Sequence, residues 1–271
     1  MAINDITLAG GMRQNLASLQ LVAALQARTT QRLATGKRVN SAVDDPSAYF
    51  AAQNHTSRAS DLAARKDSMG EAIQTVKAAI QGIDGITKLI EQAKGLTAAA
   101  RGATAADRST LATQFNDLLT QIDQLAGDSS YRGTNFLAGG SLTVDFNENG
   151  SSNLSITGFD ATTGGDLNIG QASNAWVADT DINTSVAALD TAMNTLRSEA
   201  KTLSANLSVV TTRQDFTTSL INTLTTGADQ LTAADQNEEG ANMLALQTRQ
   251  QLGVVALSLS SQAQQSILKL F

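Results

Sequence analysis

The sequence predicts a mainly α-helical protein, a long antiparallel helical bundle or coiled coil with a small β-hairpin excursion. Two observations lead to this fold class. Small and apolar residues recur at spacings of three and four on both sides of a middle segment rich in Gly and Ser, which is the pattern of helices that pack along seams. The 271 residues also include one Pro, no Cys and only 4% aromatic residues, so a thin core is expected.

The N-terminal seam predicts a helix from 46 to about 100. Asp45 is expected to be its N-cap and Pro46 its first helical residue, because Asp favours the cap and Pro tolerates the first turn. Polar interruptions occur at Lys66 and Thr87. The seam positions are Ala48, Ala52, His55, Ala59, Leu62, Lys66, Met69, Ile73, Val76, Ile80, Ile83, Thr87 and Ile90.

The C-terminal seam predicts a second long helix, from 181 to about 226. Asp181 is expected to cap its start. Residues 225–227, Thr-Thr-Gly, and then 235–237, Asp-Gln-Asn, are expected to break the helical run. The seam positions are Val186, Leu189, Met193, Leu196, Ala200, Leu203, Leu207, Val210, Gln214, Thr217, Ile221, Leu224, Ala228 and Leu231.

Three further helices follow from apolar stripes with helical spacing. The first helix ends at Gly36 and carries Met12, Leu16, Leu19 and Ala23. A shorter helix that ends at Gly127 carries Leu111, Phe115, Leu118, Ile122 and Leu125. A final helix from about 234 to 271 carries Leu252, Val255, Leu259, Ala263, Ile267 and Leu270.

Between the two long seams the period changes from 3.6 to 2. Leu142, Val144 and Phe146 alternate with polar residues, 147–150 supplies turn residues, and Leu154 and Ile156 alternate again. This pattern predicts a β-hairpin. The segment 158–180, rich in Gly, Ala, Thr and Asp, is expected to be a surface excursion in which Trp176 covers the end of the rod.

Composition and motifs disfavour several classes of function. A net charge of −6 without a strong Lys/Arg run disfavours nucleic-acid binding, and no apolar run of 18 residues predicts a membrane span. The single His55 lies on a seam without further ligands around it, and Asp44 and Asp45 are interpreted as capping residues. We therefore expect no catalytic, cofactor-binding or metal-binding residues.

Three motifs resemble the bacterial flagellins. Residues 31–45 read Q-R-L-A-T-G-K-R-V-N-S-A-V-D-D, which is similar to the family signature E-R-L-S-S-G-x-R-I-N-S-A-x-D-D. Residues 131–137 and the run from 242 to 271 resemble two further flagellin segments. The resemblance covers roughly 1–140 and 181–271 and leaves out only the middle.

The resemblance implies a self-assembling subunit of the flagellar filament, exported through the flagellar type III apparatus without signal cleavage and located outside the cell. Its partners would be further copies of itself, an export chaperone, and hook-associated and cap proteins. It also implies a division into an inner terminal domain (1–40 and 231–271), an outer rod domain (41–140 and 181–230) and a variable segment (141–180).

Packing residues are the functional residues that this interpretation predicts. Leu16, Leu19, Leu252, Leu259 and Leu270 are expected to serve the inner domain and polymerisation, and Ile73, Ile80, Leu196 and Leu203 the rod seam. A hook–filament junction protein is the alternative, because it shares the terminal helices, but the C-terminal run favours flagellin. An enzyme or a soluble binding module is disfavoured, since no nucleophile, metal cluster or phosphate loop is found.

Overall fold

The computed structural model describes residues 10–268. Five helices, α1 (Gly10–Thr35), α2 (Pro46–Arg101), α3 (Ala105–Asp128), α4 (Asp179–Thr232) and α5 (Gln236–Leu268), make up most of it. Strands β1 (Ser141–Asp145) and β2 (Asn153–Thr157) lie between α3 and α4, followed by a short 3-10 turn, Ser173–Trp176. The predicted fold class is confirmed.

The chain divides into two compact units. Residues up to Ser57 together with those from Thr223 onward form one, called here the terminal unit. Arg58–Asn222 form the other, called here the central unit. Helices α2 and α4 each contribute to both units.

The two long seams are confirmed by burial. Every predicted seam position on α2 and α4 is buried or half-buried, including the polar Gln214 and Thr217. Gln214 donates from its side-chain amide to the carbonyl oxygen of Lys66 at 3.3 Å, so its polar group is satisfied where α4 meets α2.

The core of the central unit joins these helices to α3 and to the hairpin. Phe115 and Ile122 of α3 and Ile156 of β2 are fully buried, and Val144 of β1 is buried at 4% exposure. The strands pair in antiparallel fashion with Leu142 opposite Ile156 and Val144 opposite Leu154. The predicted hairpin is therefore confirmed, with one face of the ribbon in the core.

The expectation of a surface excursion at 158–180 is wrong. Phe159, Ala161, Leu167, Ile169 and Trp176 are all buried in the core of the central unit. The backbone of this segment is irregular, so its apolar residues follow neither a helical nor a strand period. They enter the core one at a time, and the sequence pattern therefore gave no signal of their burial.

Trp176 anchors the end of this segment. Its ring lies 4.9 Å from that of Phe115, and its indole N–H donates to the hydroxyl of Ser185 at 3.1 Å. Asn174, Ala175 and Trp176 have φ between 47° and 57°, a strained conformation for residues with a Cβ. Packing of the indole in the core offsets that strain.

Of the two breaks predicted in the C-terminal helical run, the one at 225–227 is wrong, since α4 continues to Thr232. The one at 235–237 is confirmed, since α5 begins at Gln236. Leu224 and Ala228 are buried on either side of this sequence. A Gly within a helix costs about 1 kcal/mol relative to Ala, which the burial of one Leu outweighs. Asp181 lies in the first turn of α4, where its carboxylate accepts from the backbone N–H of Ala178 at 3.3 Å.

Candidate functional site

In the terminal unit, α1 packs against α5. Met12, Val22 and Thr29 of α1 are buried, as are Glu239 and Leu246 of α5. This buried face differs from the predicted stripe, because Leu16 and Ala23 are exposed and Val22 and Thr29 lie inside instead. Because the buried face of α1 includes the polar Thr29, the apolar pattern alone did not identify which side of the helix is buried.

A close approach of the two helices occurs at Gly253. A Cβ placed on Gly253 would lie 2.6 Å from the Leu19 Cδ2 atom, which is closer than carbon atoms tolerate. Any residue with a Cβ at this position of α5 would therefore require the Leu19 side chain to move. Leu19, one of the predicted packing residues, is half-buried there.

An ion pair joins the same helices at their other end. Arg32 Nη1 of α1 donates to Glu239 Oε1 of α5 at 2.7 Å, and the Glu239 side chain is only 8% exposed. Glu239 also lies in the first turn of α5, where the helix dipole favours a carboxylate. The near-buried carboxylate is thus compensated from two sides.

The connection between α1 and α2 is held by backbone and side-chain hydrogen bonds. Gly36, with φ of 66°, ends α1 in the left-handed conformation that Gly adopts without steric cost. Beyond it, Arg38 and Val39 both donate their backbone N–H to the carbonyl oxygen of Thr232, at 2.7 and 3.2 Å. The connection is therefore fixed to the end of α4.

Asp44 organises the second half of this connection. Its Oδ2 accepts from the backbone N–H of Asn40 and of Ser41, each at 3.1 Å, and from the Ser41 hydroxyl at 3.2 Å. Arg28 lies 3.5 Å from its other oxygen. The hydrogen bond from Asn40 is the main cause that lowers the pKa of Asp44. Asp45 Oδ1 accepts from the N–H of Ala48 at 3.0 Å, and α2 begins at Pro46.

Large apolar side chains remain exposed along both terminal helices. Leu252 and Leu259 of α5 are 64% and 67% exposed, and Leu16 of α1 is 42% exposed. Exposed large apolar side chains in such number are typical of surfaces that another molecule covers. Among the side chains whose burial is described on these helices, the exposed large apolar ones are Leu16, Leu21, Leu25, Leu244, Leu252, Val254, Val255 and Leu259.

The predicted site residues are therefore distributed in two ways. Ile73, Leu196 and Leu203 lie buried in the core of the central unit, and Ile80 packs against it half-buried. Leu16, Leu252 and Leu259 lie on the exposed face of the terminal helices, and Leu270 lies outside the described residues. Their part in polymerisation stays a prediction.

A cavity of about 360 Å³, lined by both polar and apolar side chains, lies beside α2 and the hairpin in the central unit. Glu71 forms an ion pair with Arg132 at 3.0 Å and accepts from the Tyr131 hydroxyl at 3.1 Å. The bond to Arg132 is the main cause that lowers the pKa of Glu71, and the bond to Glu71 raises the pKa of Tyr131. Glu71, Arg132 and Tyr131 thus meet one another's hydrogen-bonding needs, which suits a structural role in holding the 131–132 turn to α2 rather than a reactive site.

Two kinds of site were searched for in residues 10–268. No group of three His, Cys, Asp or Glu side chains in this range could hold a metal ion. None of the helices described here combines the length and apolarity needed to cross a lipid bilayer.

Sequence reasoning missed Glu239 and Gly253. The Asp235 carboxylate accepts from the backbone N–H groups of Asn237 and Glu238 at the start of α5. The sequence could therefore indicate that Glu239 lies in the first turn of a helix, but not that it pairs with Arg32. Gly253 within an otherwise helical stripe was the available signal of a close helix approach.

Comparison with known families finds two matches that together span most of the chain. A family described as the bacterial flagellin N-terminal helical region matches residues 3–141. A second family, the bacterial flagellin C-terminal helical region, matches residues 186–271.

Individual proteins give similar results. The flagellin FljM of Caulobacter vibrioides is 30% identical over 276 aligned residues that cover 100% of both chains. A flagellin of Brucella melitensis is 38% identical over 93 residues, 34% of this chain and 33% of its own. A crystal structure of Bacillus cereus flagellin superposes with a TM-score of 0.48 and 19% identity, covering 55% of this chain and 88% of that one.

Proposed function

This chain belongs to the bacterial flagellin family, the structural protein of flagellar filaments, and from that premise we propose that its terminal unit joins copies of the chain into the filament. The observation that carries the proposal is the exposed apolar surface of α1 and α5. In a monomer these side chains meet water, and burial between copies would remove that cost.

The magnitude of this effect is large enough for assembly. Full burial of one Leu or Val side chain stabilises by about 1.5–3 kcal/mol, and eight such residues are exposed on the two helices. Part of this gain is offset by the loss of rotational and translational freedom on association. Head-to-tail use of one surface without a closing rotation produces an open helical polymer.

Export and partners follow as further parts of the proposal. A chain without Cys has no disulfides to form or reduce, which suits passage through the type III apparatus in an unfolded state and a final location outside the cell. Exposed apolar terminal helices need cover before assembly, so an export chaperone is the expected partner before export. Hook-associated and cap proteins are the expected partners at the two ends of the filament.

Seeded growth tests the proposal directly. We expect purified full-length chain to extend short fragments of sheared flagella from its own source into long tubes, seen by negative-stain electron microscopy. Decoration of hook ends in a short ring would instead support the junction-protein alternative, and a monomer at every salt concentration would overturn the proposal.

A truncation separates folding from assembly. Removal of the last ten residues, 262–271, is expected to leave the central unit folded and to stop extension of the seeds. The single Trp of the chain, Trp176, lies in the central unit, so its fluorescence reports whether that unit is intact. A truncated chain that extends seeds as fast as the full chain would contradict the role of the terminal helices.

A further inference from the structure

Asn149 is the one asparagine of the chain that is followed by a glycine. It lies in the turn 147–150 that joins β1 to β2, and its side chain is exposed to solvent. Asparagine is thermolabile, because the nitrogen of the next peptide unit can attack its side-chain amide. Gly150 carries no Cβ beside that nitrogen, so the attack is less hindered here than at any other asparagine of the chain.

The attacking atom is the backbone nitrogen of Gly150. Its N–H donates to the carbonyl oxygen of Asn147 at 3.4 Å, which is longer than the usual range for an N–H···O hydrogen bond. The nitrogen is therefore weakly held, and little is lost when its proton passes to solvent.

The electrophile is the side-chain amide of Asn149, whose Oδ1 accepts from the backbone N–H of Ser151 at 3.1 Å. That bond closes a ring that contains both the Asn149 Cγ atom and the Gly150 nitrogen, so the amide is folded back along the chain. It also places a donor at the oxygen on which negative charge develops during the attack. Within residues 10–268 the Asn149 amide nitrogen, which is the leaving group, has no hydrogen-bond partner.

We propose that Asn149 is a site of spontaneous deamidation in the folded protein. The Gly150 nitrogen forms a bond to the Asn149 Cγ atom and loses its proton to solvent, and the amide nitrogen takes up a proton and leaves as ammonia. Water then opens the cyclic imide at one of its two carbonyl carbons, which yields aspartate or isoaspartate at position 149. Ammonia is lost to solvent, so the product accumulates with the age of the chain.

Either product changes the tip of the hairpin. A new carboxylate lies beside Glu148, whose own carboxylate pairs with Arg58. Isoaspartate also adds a methylene to the backbone of the loop that Phe146 closes, where its N–H donates to the carbonyl oxygen of Ser152 at 2.8 Å. The modification thus alters both the charge and the shape of this surface, and it is a property of the single folded chain, independent of filament formation.

Incubation of the purified chain in mildly alkaline buffer over several weeks tests the site. We expect a new, more acidic form on ion-exchange chromatography, and peptide mass spectrometry should place both aspartate and isoaspartate at position 149. Asn147, in the same turn but followed by Glu, is the internal control and should keep its amide. An unchanged Asn149, or faster loss of the amide at Asn147, would overturn the proposal.

Two variants test the chemistry. Asn149→Gln needs a larger ring for the same attack, and Gly150→Ala places a Cβ beside the attacking nitrogen. Both should slow formation of the acidic form roughly tenfold or more, through a higher barrier. Gly150 has φ of 70°, where Ala is strained, so Trp176 fluorescence checks that the central unit stays folded in both variants. Formation at the wild-type rate in both would exclude this site.

A urea series below the unfolding transition shows whether the folded chain reacts. A reaction at an exposed turn needs at most local opening, so its rate should stay nearly constant as the urea concentration rises. A reaction that requires global unfolding would accelerate with urea as the unfolded fraction grows. That outcome would overturn the proposal that the folded protein deamidates, and it would leave the filament function unaffected.

Discussion

The central and terminal units carry similar apolar helical stripes with opposite burial. Leu203 on α4 is 1% exposed in the central unit, whereas Leu252 on α5 is 64% exposed in the terminal unit. The two residues are chemically identical and both lie within long helices. The difference therefore comes from what surrounds each helix.

In the central unit, three helices, the hairpin and the irregular segment 158–176 surround a single core. In the terminal unit, α5 packs against α1 alone among the helices with extensive contacts in the described chain. Two helices cover one stripe of each other and leave the other sides in water. The comparison predicts that the central unit folds by itself, and it agrees with the proposal that other copies of the chain cover the terminal unit.

The largest expected effect tests the core of the central unit. Trp176→Ala should destabilise it by about 3–5 kcal/mol, because it removes a fully buried indole and its contact with Phe115. Thermal or urea unfolding followed by circular dichroism measures the loss. Trp176→Phe, which keeps a ring but loses the hydrogen bond to Ser185, should lose only part of this stability, and equal losses would show that ring packing is not the cause.

A matched pair of leucine variants sharpens the comparison. Leu203→Ala should destabilise the central unit by about 2–5 kcal/mol, whereas Leu252→Ala should change monomer stability by less than about 0.5 kcal/mol. In seeded growth the order should reverse, with Leu252→Ala raising the critical concentration. Trp176 fluorescence during urea unfolding gives the first quantity and sedimentation of polymer gives the second. If Leu203→Ala and Leu252→Ala lower the free energy of unfolding of the monomer by the same amount, the proposed difference between the two units is wrong.

The smallest expected effect is a dependence on pH within the central unit. The lowered pKa of Glu71 means that its carboxylate is stabilised in the folded state by Arg132 and Tyr131. This contribution is present above the unfolded pKa, about 4.3, and is lost as pH falls through the lower native pKa.

Glu71→Gln is therefore expected to be slightly less stable than the wild type at pH 7, with a difference that shrinks as pH falls below about 4. The melting temperature measured from pH 7 to pH 3 follows the difference. Asp67→Asn, a nearby exposed carboxylate of α2 with no ion pair inside the range 10–268, is the matched control. If the difference in melting temperature between Glu71→Gln and the wild type stays constant over this pH range, the interaction of Glu71 with Arg132 and Tyr131 is not its cause.

Much of the fold was readable from periodicity. The α2 and α4 seams, the hairpin and the end of α1 at Gly36 were predicted because each depends on local spacing or on a turn residue. In the candidate site, the sequence picked out Leu252 and Leu259 as a stripe, and the structure places both in solvent.

Other features depended on contacts distant in sequence. The continuation of α4 through Gly227 and the burial of the segment 158–176 both contradicted local signals. In each case apolar burial against distant elements outweighed local propensity, which is worth about 1 kcal/mol at a single residue. The Arg32–Glu239 pair, separated by 207 positions, had no local signal at all.

The sequence by itself determined the helical class of this flagellin, its two seams and its family, because these depend on residue spacing and on a specific run of residues at 31–45. Only the tertiary structure decided which stripes are buried in the chain and which stay exposed. Burial depends on how many elements surround a helix, and chemically equal residues such as Leu203 and Leu252 acquire opposite roles for that reason.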